Sequence, residues 1–234
     1  MNLKPLTPGL VIVMPVLDEA PMLHARLTAL QPLRARGVGL IVVDGGSRDD
    51  SVALARPACE SVLETAPGRA RQMNTGARAA IERGARFLLF LHADTQLPED
   101  AAERVLDALG NQGHDWGRFD VRIDGHPPML RVVAMLMNLR SRLSGIATGD
   151  QAMFMTREAF EAVGGFPAQE LMEDIELSRR LRRLSGPACL RARVLTSGRR
   201  WESRGVWRTI VLMWRLRWDY WRGVPADVLA RRYR

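Results

Sequence analysis

Lysine is all but missing from this chain: of its 34 Lys and Arg residues, Lys4 is the only lysine. With arginine supplying the basic character throughout, no single arginine is read as a phosphate ligand on its residue type alone. Cysteine is scarce too. Cys59 and Cys189 match no metal-ligand spacing and build no disulfide framework, so they read as small buried hydrophobes in a reducing compartment. No apolar run approaches the roughly 20 residues needed to cross a bilayer, and no signal peptide opens the chain, so the expected location is the cytoplasm. Neither GxGxxG nor GxxxxGKS/T occurs, which removes support for a dinucleotide fingerprint and for a P-loop.

What the chain has is length and an uneven charge. Its 234 residues suffice for one large α/β domain with an appendage. The formal net charge of +8 is concentrated at one end, where Pro187 to Arg234 carries twelve arginines against Glu202, Asp219 and Asp227. Everything before Pro187 is close to neutral. Five of the six tryptophans fall at or after Trp201, and Trp207, Trp214, Trp218 and Trp221 alternate with Arg208, Arg215, Arg217 and Arg222. A basic helix with interfacial aromatics suits an anionic membrane surface. The competing reading is a helix docked on its own domain or on a second copy, because aromatics also anchor protein interfaces. Charge confined to such a tail fits a phosphate-tracking nucleic-acid groove poorly.

The rest of the chain is organised around Arg86 to Pro98. An apolar run from Phe87 to Leu91 reads as a strand buried on both faces, and it stops at His92-Ala93-Asp94. In open α/β sheets ligands bind beyond such strand ends, where a carboxylate can hold a cation against a phosphate. Asp94 and Thr95 would equally suit a turn before the helix expected over Glu99–Leu109. Two earlier strands stop in the same way. Leu10–Val16 runs into Leu17-Asp18-Glu19 and a helix over Pro21–Arg36, and Val38–Val43 runs into Asp44-Gly45-Gly46-Ser47. Asp49 and Asp50 read as helix caps. A short strand at Val62–Thr65 precedes Gly68 to Asn74 and a helix to about Gly84. Strand and helix have alternated four times by Asp94, the signature of a parallel sheet flanked by helices.

Beyond that point the pattern changes. Trp116–Ile123 alternates Phe119, Val121 and Ile123 with Arg118, Asp120 and Arg122, which predicts a half-exposed strand. The methionine-rich Pro127–Leu143 predicts a helix that packs on the sheet, with a mobile lid or a lipid-facing surface as the other readings. Gly149-Asp150-Gln151 precedes a short strand at Ala152–Met155, and Gly164-Gly165-Phe166 makes a turn. Glu173-Asp174 opens a helix whose acidic start and basic end suit the helix dipole without any catalytic role. Pro187–Thr196 reads as a strand, and Arg199-Arg200-Trp201 follows it.

In this order, Pro15-Val16-Leu17-Asp18-Glu19, Val43-Asp44-Gly45-Gly46-Ser47-Arg48-Asp49, Gly68 to Asn74, His92-Ala93-Asp94, Gly164-Gly165-Phe166 and Glu173-Asp174 resemble the family-two glycosyltransferases of GT-A fold. Phe90 to Thr95, Gly149-Asp150-Gln151 and Arg199-Arg200-Trp201 look like a subgroup found beside radical-enzyme, selenium or arsenosugar genes. The resemblance covers roughly residues 10 to 205. It implies a Rossmann-like, mostly parallel sheet in a domain spanning 1–205, with 206–234 as an amphipathic helical appendage. It also implies a nucleotide-sugar donor, with a bias to uridine, and a small-molecule or lipid hydroxyl acceptor.

By the same resemblance, Glu19 and Asp44 meet base and ribose, Pro15 shapes the floor, and Arg71 and Asn74 close the pocket. Asp94 matches the last acid of the family's Asp-x-Asp motif, which holds Mn²⁺ or Mg²⁺, while His92 replaces the first acid and is a second candidate ligand. Asp174 is cast as general base. Glu173 and Asp150 stand on the acceptor side, and Arg200 and Trp201 near the diphosphate. Leaving-group charge calls for a metal or an arginine, and the acceptor hydroxyl calls for a carboxylate base, so a single inverting displacement is expected. A nucleotidyltransferase, and a binding module on a catalytically disused fold, remain the alternatives.

Overall fold

The computed structural model describes residues 9–233; the first eight residues of the expected 1–205 domain and Arg234 of the appendage lie outside them. The first half alternates as the apolar runs predict: β1 (Leu10–Val16), α1 (Ala20–Arg34), β2 (Gly39–Asp44), α2 (Ser51–Ala55), β3 (Ser61–Glu64), α3 (Arg69–Glu82) and β4 (Phe87–Phe90). The second half adds β5 (Thr95–Gln96), α4 (Ala101–Leu106), β6 (Trp116–Asp124), α5 (Met129–Ser144), β7 (Phe154–Thr156), α6 (Arg157–Ala162), α7 (Glu173–Leu181) and β8 (Ala188–Ser197). The chain then runs through α8 (Arg199–Arg204), α9 (Val206–Trp221) and α10 (Ala226–Tyr233).

The eight strands form one sheet in the order β3-β2-β1-β4-β7-β6-β8-β5. From β3 to β4 all neighbours are parallel, whereas β7 runs antiparallel to β4 and β6, and β5 antiparallel to β8. This is a mostly parallel GT-A-type sheet flanked by helices, as expected.

Strand periodicity divides the core into two layers. Leu10, Ile12, Met14 and Val16 of β1 pack on one face with Leu23, Leu27 and Leu30 of α1, while Val13 faces Met73, Ala77 and Ala80 of α3 on the other. In β4, Phe87 and Leu89 join the first layer and Leu88 and Phe90 the second. The central strand is thus covered on both sides. Helix α3 comes unusually close to the sheet, because a Cβ at Gly76 would lie 2.4 Å from Val13 Cγ1 and 2.9 Å from Val43 Cγ2. Only glycine fits there, and its closeness sets where the amino end of α3 meets the cleft.

Three expectations need correction. Strand β6 is not half-exposed: Arg118 and Asp120 are buried, and only Arg122 and Asp124 face solvent. Helix α5 covers that face, and the two charges are paired beneath it: Asp120 pairs with Arg118 and also takes Arg142 Nη2 of α5 at 2.6 Å. Asn138 of α5 clips the same strand through the N–H and carbonyl of Val121, at 2.8 and 3.0 Å. Helix α4 ends earlier than expected, continuing as a π-helical turn over Asp107–Asn111. Cys59 and Cys189 are free but only half-buried, and burial pushes the Cys59 thiol up.

The appendage docks by its inner side. Leu216 of α9 and Leu229 of α10 form a small apolar cluster with Met172, the residue immediately before α7.

Two substitutions test this packing. Gly76→Ala improves helix propensity yet should lower unfolding free energy by about 1–3 kcal/mol through overpacking. The check is a lower urea midpoint at unchanged slope. Asp120→Ala leaves the Arg118 charge buried with a weaker partner set and should cost about 3–5 kcal/mol by the same measurement.

Candidate active site

The cleft is built from the carboxyl ends of the parallel strands. After β1 and β2 two loops are sewn together: Ser47 Oγ accepts from Asp18 N–H, Asp18 Oδ1 from Arg48 N–H, Ser51 Oγ from Glu19 N–H, and Asp49 Oδ2 from Ala20 N–H. Asp49 also accepts from Ser51 N–H, so it serves the starts of both α1 and α2, as a cap should, while Asp50 makes no side-chain cap. Asp44 is buried at the end of β2, and its carboxylate accepts from Gly46 N–H, Ser47 N–H and Ser47 Oγ. Its acid shapes its own turn.

Beneath these loops lies Gln72 of α3, a residue with no strand-end or acidic signature to flag it. Its buried Nε2 donates to Val16 O at 2.8 Å and Val43 O at 2.9 Å, tying together the ends of β1 and β2.

The chemistry-bearing groups meet one strand further on, past β4. His92 directs Nδ1 to Asp150 Oδ1 at 3.5 Å, and its ring edge packs on Gly149, where a Cβ would lie 2.3 Å from Cε1 and 2.5 Å from Nε2. Nε2 is buried there without a partner. Gly149 N–H in turn donates to Asp174 Oδ2 at 2.8 Å, and Asp174 Oδ1 accepts from Ile175 N–H at 2.7 Å. Glu173 beside it is 3% exposed and lies 3.6 Å from Arg69 Nη1 at the start of α3. His92, Gly149, Glu173 and Asp174 line a cavity with Met73, Phe90, Met153 and Phe166. The turn that delivers Asp174 is a backbone exception, since Met172 takes φ 64° just before α7.

Environment divides Glu173 from Asp150. Burial, reinforced by Asp174, pushes the Glu173 carboxyl above its usual range, with Arg69 opposing. Asp150 goes the other way: despite desolvation, its bond to His92 and the charges of His92, Arg69 and Arg200 hold it low. Burial pulls the Arg140 guanidinium of α5 down to about 10, helped by Arg217 of α9 and opposed by Asp174. Burial also lowers Arg217, against the attraction of Asp174 and Asp150. The Tyr233 phenol of α10 is pushed up by burial, with Arg200 and Arg69 opposing and Asp150 and Asp174 reinforcing. Arg200 stacks over the Tyr233 ring at 4.0 Å and keeps one buried Nη1 without a partner.

Not every expected residue reaches this centre. Asn74 spends its amide on the Gly164–Phe166 turn, donating to Phe166 O at 2.8 Å and accepting from Phe166 N–H at 2.9 Å. Arg71 is exposed on the first turn of α3, and Trp201 packs against the main core. Pro15 is half-buried in β1 beside Val43. Glu19 lies across the cleft mouth from α8, taking Arg199 Nη2 at 3.1 Å. Asp94 is half-buried, with Thr95 Oγ1 at 3.3 Å from Oδ1. Among the described residues no three His, Cys, Asp or Glu side chains come together as a metal cage. Asp94 therefore fits a cation only in the mode where one carboxylate and substrate phosphates share it.

Solved structures share this architecture. A mannosyltransferase, PcManGT from Pyrobaculum calidifontis in complex with GDP-Man and Mn²⁺, superposes with TM-score 0.62 at 19% identity over 83% of this chain and 59% of its own. S. aureus TarS 1-349 superposes with TM-score 0.65 at 14% identity over 81% of this chain and 60% of its own. The chain thus spans about 60% of the length of these two structures, and at such identities the likeness speaks for the fold. No curated protein matches the chain. Residues 11–164, well over half the sequence, match the family described as Glycosyl transferase family 2, and the chain belongs to that family.

Proposed function

We propose that the protein transfers a sugar from a nucleotide-activated donor, a UDP-sugar by the family resemblance, to a hydroxyl acceptor with inversion. The observation that carries this reading is the meeting of His92, Glu173 and Asp174 around one cavity beyond the central strand, with Asp150 on His92 and Arg69 on Glu173. These residues come from four separate segments of a family-two chain.

Asp174 is the general base. Two backbone N–H groups aim its carboxylate, and it faces the cavity. Glu173, buried and facing Arg69 at 3.6 Å, is given a structural role. The donor base and ribose lie against Glu19, Asp44 and Pro15, with Arg71 and Asn74 bordering that pocket. The diphosphate runs toward Arg69 and Arg200, whose guanidiniums bind the charge that builds on the leaving oxygens. Asp94 would hold Mn²⁺ or Mg²⁺ together with the diphosphate, supplying further neutralisation of that charge. His92, engaged by Asp150 and packed on Gly149, positions the turn that presents Asp150 and supports Asp174. The runs Phe90 to Thr95 and Arg199-Arg200-Trp201 favour the subgroup found beside selenium and arsenosugar genes.

A screen of nucleotide sugars for slow hydrolysis by the pure protein, with and without Mn²⁺, identifies the donor. Asp174→Asn should then lower kcat by about 10²–10⁴ while leaving KM for the donor within a few-fold. Pyrophosphate in place of nucleoside diphosphate as the released product would defeat the assignment and favour a nucleotidyltransferase.

Glu173→Gln separates folding from chemistry. Because the folded chain holds this carboxyl high, the stability it contributes is complete below the ordinary Glu value and is lost as pH rises through the raised one. The variant should therefore gain stability over the parent at about pH 8 and show little gain at about pH 4, read from denaturant midpoints.

A further inference from the structure

Ten of the twelve large apolar side chains that stay exposed among the described residues lie on just two helices. On α9 they are Trp207, Val211, Trp214, Trp218 and Trp221, a spacing that stacks them in one stripe. Trp214 and Trp221 are 70% and 76% exposed. On α5 they are Val132, Met135, Leu136, Leu139 and Leu143, again one stripe. Each helix is also apolar on its inner face, through Leu130 and Val133 of α5 and Leu216 of α9. A helix solvated on its outer side carries polar residues there, so both helices are one partner short. They share a side of the molecule: Met137 of α5 and Val206 and Ile210 of α9 pack on the same core layer.

We propose that α5 and α9 together form a docking face for an anionic lipid bilayer. The border of the face selects this occupant over a second copy of the chain. Exposed Arg208, Arg215 and Arg222 follow one edge of the tryptophan stripe, and Arg131 flanks the stripe on α5. Tryptophan bodies in the headgroup boundary with arginines against lipid phosphates are the pattern of interfacial helices, whereas a second copy would set one arginine-bordered face against another of the same sign. The last 48 residues hold twelve arginines against three acids, complementary to an anionic leaflet. No helix among the described residues is long and apolar enough to cross a membrane, so α9 lies in the plane of the surface.

The same two helices turn Arg140 and Arg217 inward, within electrostatic reach of Asp174. The docking face does not depend on the role given to Asp174 above.

The test is co-sedimentation of the full-length protein with vesicles of phosphatidylcholine alone and of phosphatidylcholine with roughly one third phosphatidylglycerol. The parent should bind the anionic vesicles more tightly. Trp214→Glu with Trp218→Glu, and separately Leu136→Glu with Leu139→Glu, should each weaken that binding at least about tenfold. Donor hydrolysis in vesicle-free buffer should stay at the parent level for both. Alanine at the same four positions provides a milder pair if glutamate perturbs folding. Absence of binding to anionic vesicles, an α5 pair that binds like the parent, or a parent dimer split by these substitutions in velocity sedimentation would overturn the proposal. A parent that binds vesicles yet hydrolyses no nucleotide sugar would instead support the docking face and count against the transferase reading alone.

Discussion

The hydrogen bond from Gly149 N–H to Asp174 is the constraint on which the cleft depends. It joins the amino end of α7 to the turn carrying Asp150, and that turn rests on His92 at the end of the central strand. A side chain at position 149 would collide with the imidazole, so the glycine allows the acid, the turn and the strand end to meet. The strand end is fixed by burial on both faces, which makes the position of His92 a consequence of the core rather than of the loop. Proximity of this kind is what a displacement reaction needs from a protein, since positioned groups replace a bimolecular encounter.

Around that anchor, the electrostatics are set by where the helices end. Helix α3 brings Arg69 to Glu173 because Gly76 lets the helix lie close on β1 and β2. Helix α10 brings Tyr233 over Arg200, and α9 brings Arg217 near Asp174 and Asp150, because Leu216 and Leu229 pack on Met172. The carboxyl-terminal helices thus bring Arg217 and Tyr233 within electrostatic reach of Asp150 and Asp174 from their inner side. Their outer side is a different surface, apolar and bordered by arginine.

The sheet was legible in sequence because β1, β2 and β4 are short β-branched or apolar runs that stop at acids, and those acids mark strand ends whatever their role. Asp174, as an acid opening a helix, needs no role beyond the helix dipole, and only the family resemblance singled it out. Strand β6 departs from its alternation because Arg118 and Asp120 pair under α5, and alternation alone cannot distinguish a solvated charge from a buried pair. Gln72 and Arg69 escaped notice because their importance comes from α3 docking on the sheet. Tyr233, Arg140 and Arg217 depend on the packing of helices far apart in sequence, which no local spacing records. Asn74, expected to close the pocket, spends its amide on Phe166, a partner 92 residues away.

One carboxylate, Asp174, activates the acceptor on the face of the sugar opposite the leaving diphosphate in the mechanism proposed for this cleft. The anomeric configuration of the first product, read by proton NMR before mutarotation, tests that directly. Inversion relative to the donor is predicted. Retention would mean a second displacement or a nucleophile elsewhere, and would contradict the roles given to the acids of this cleft.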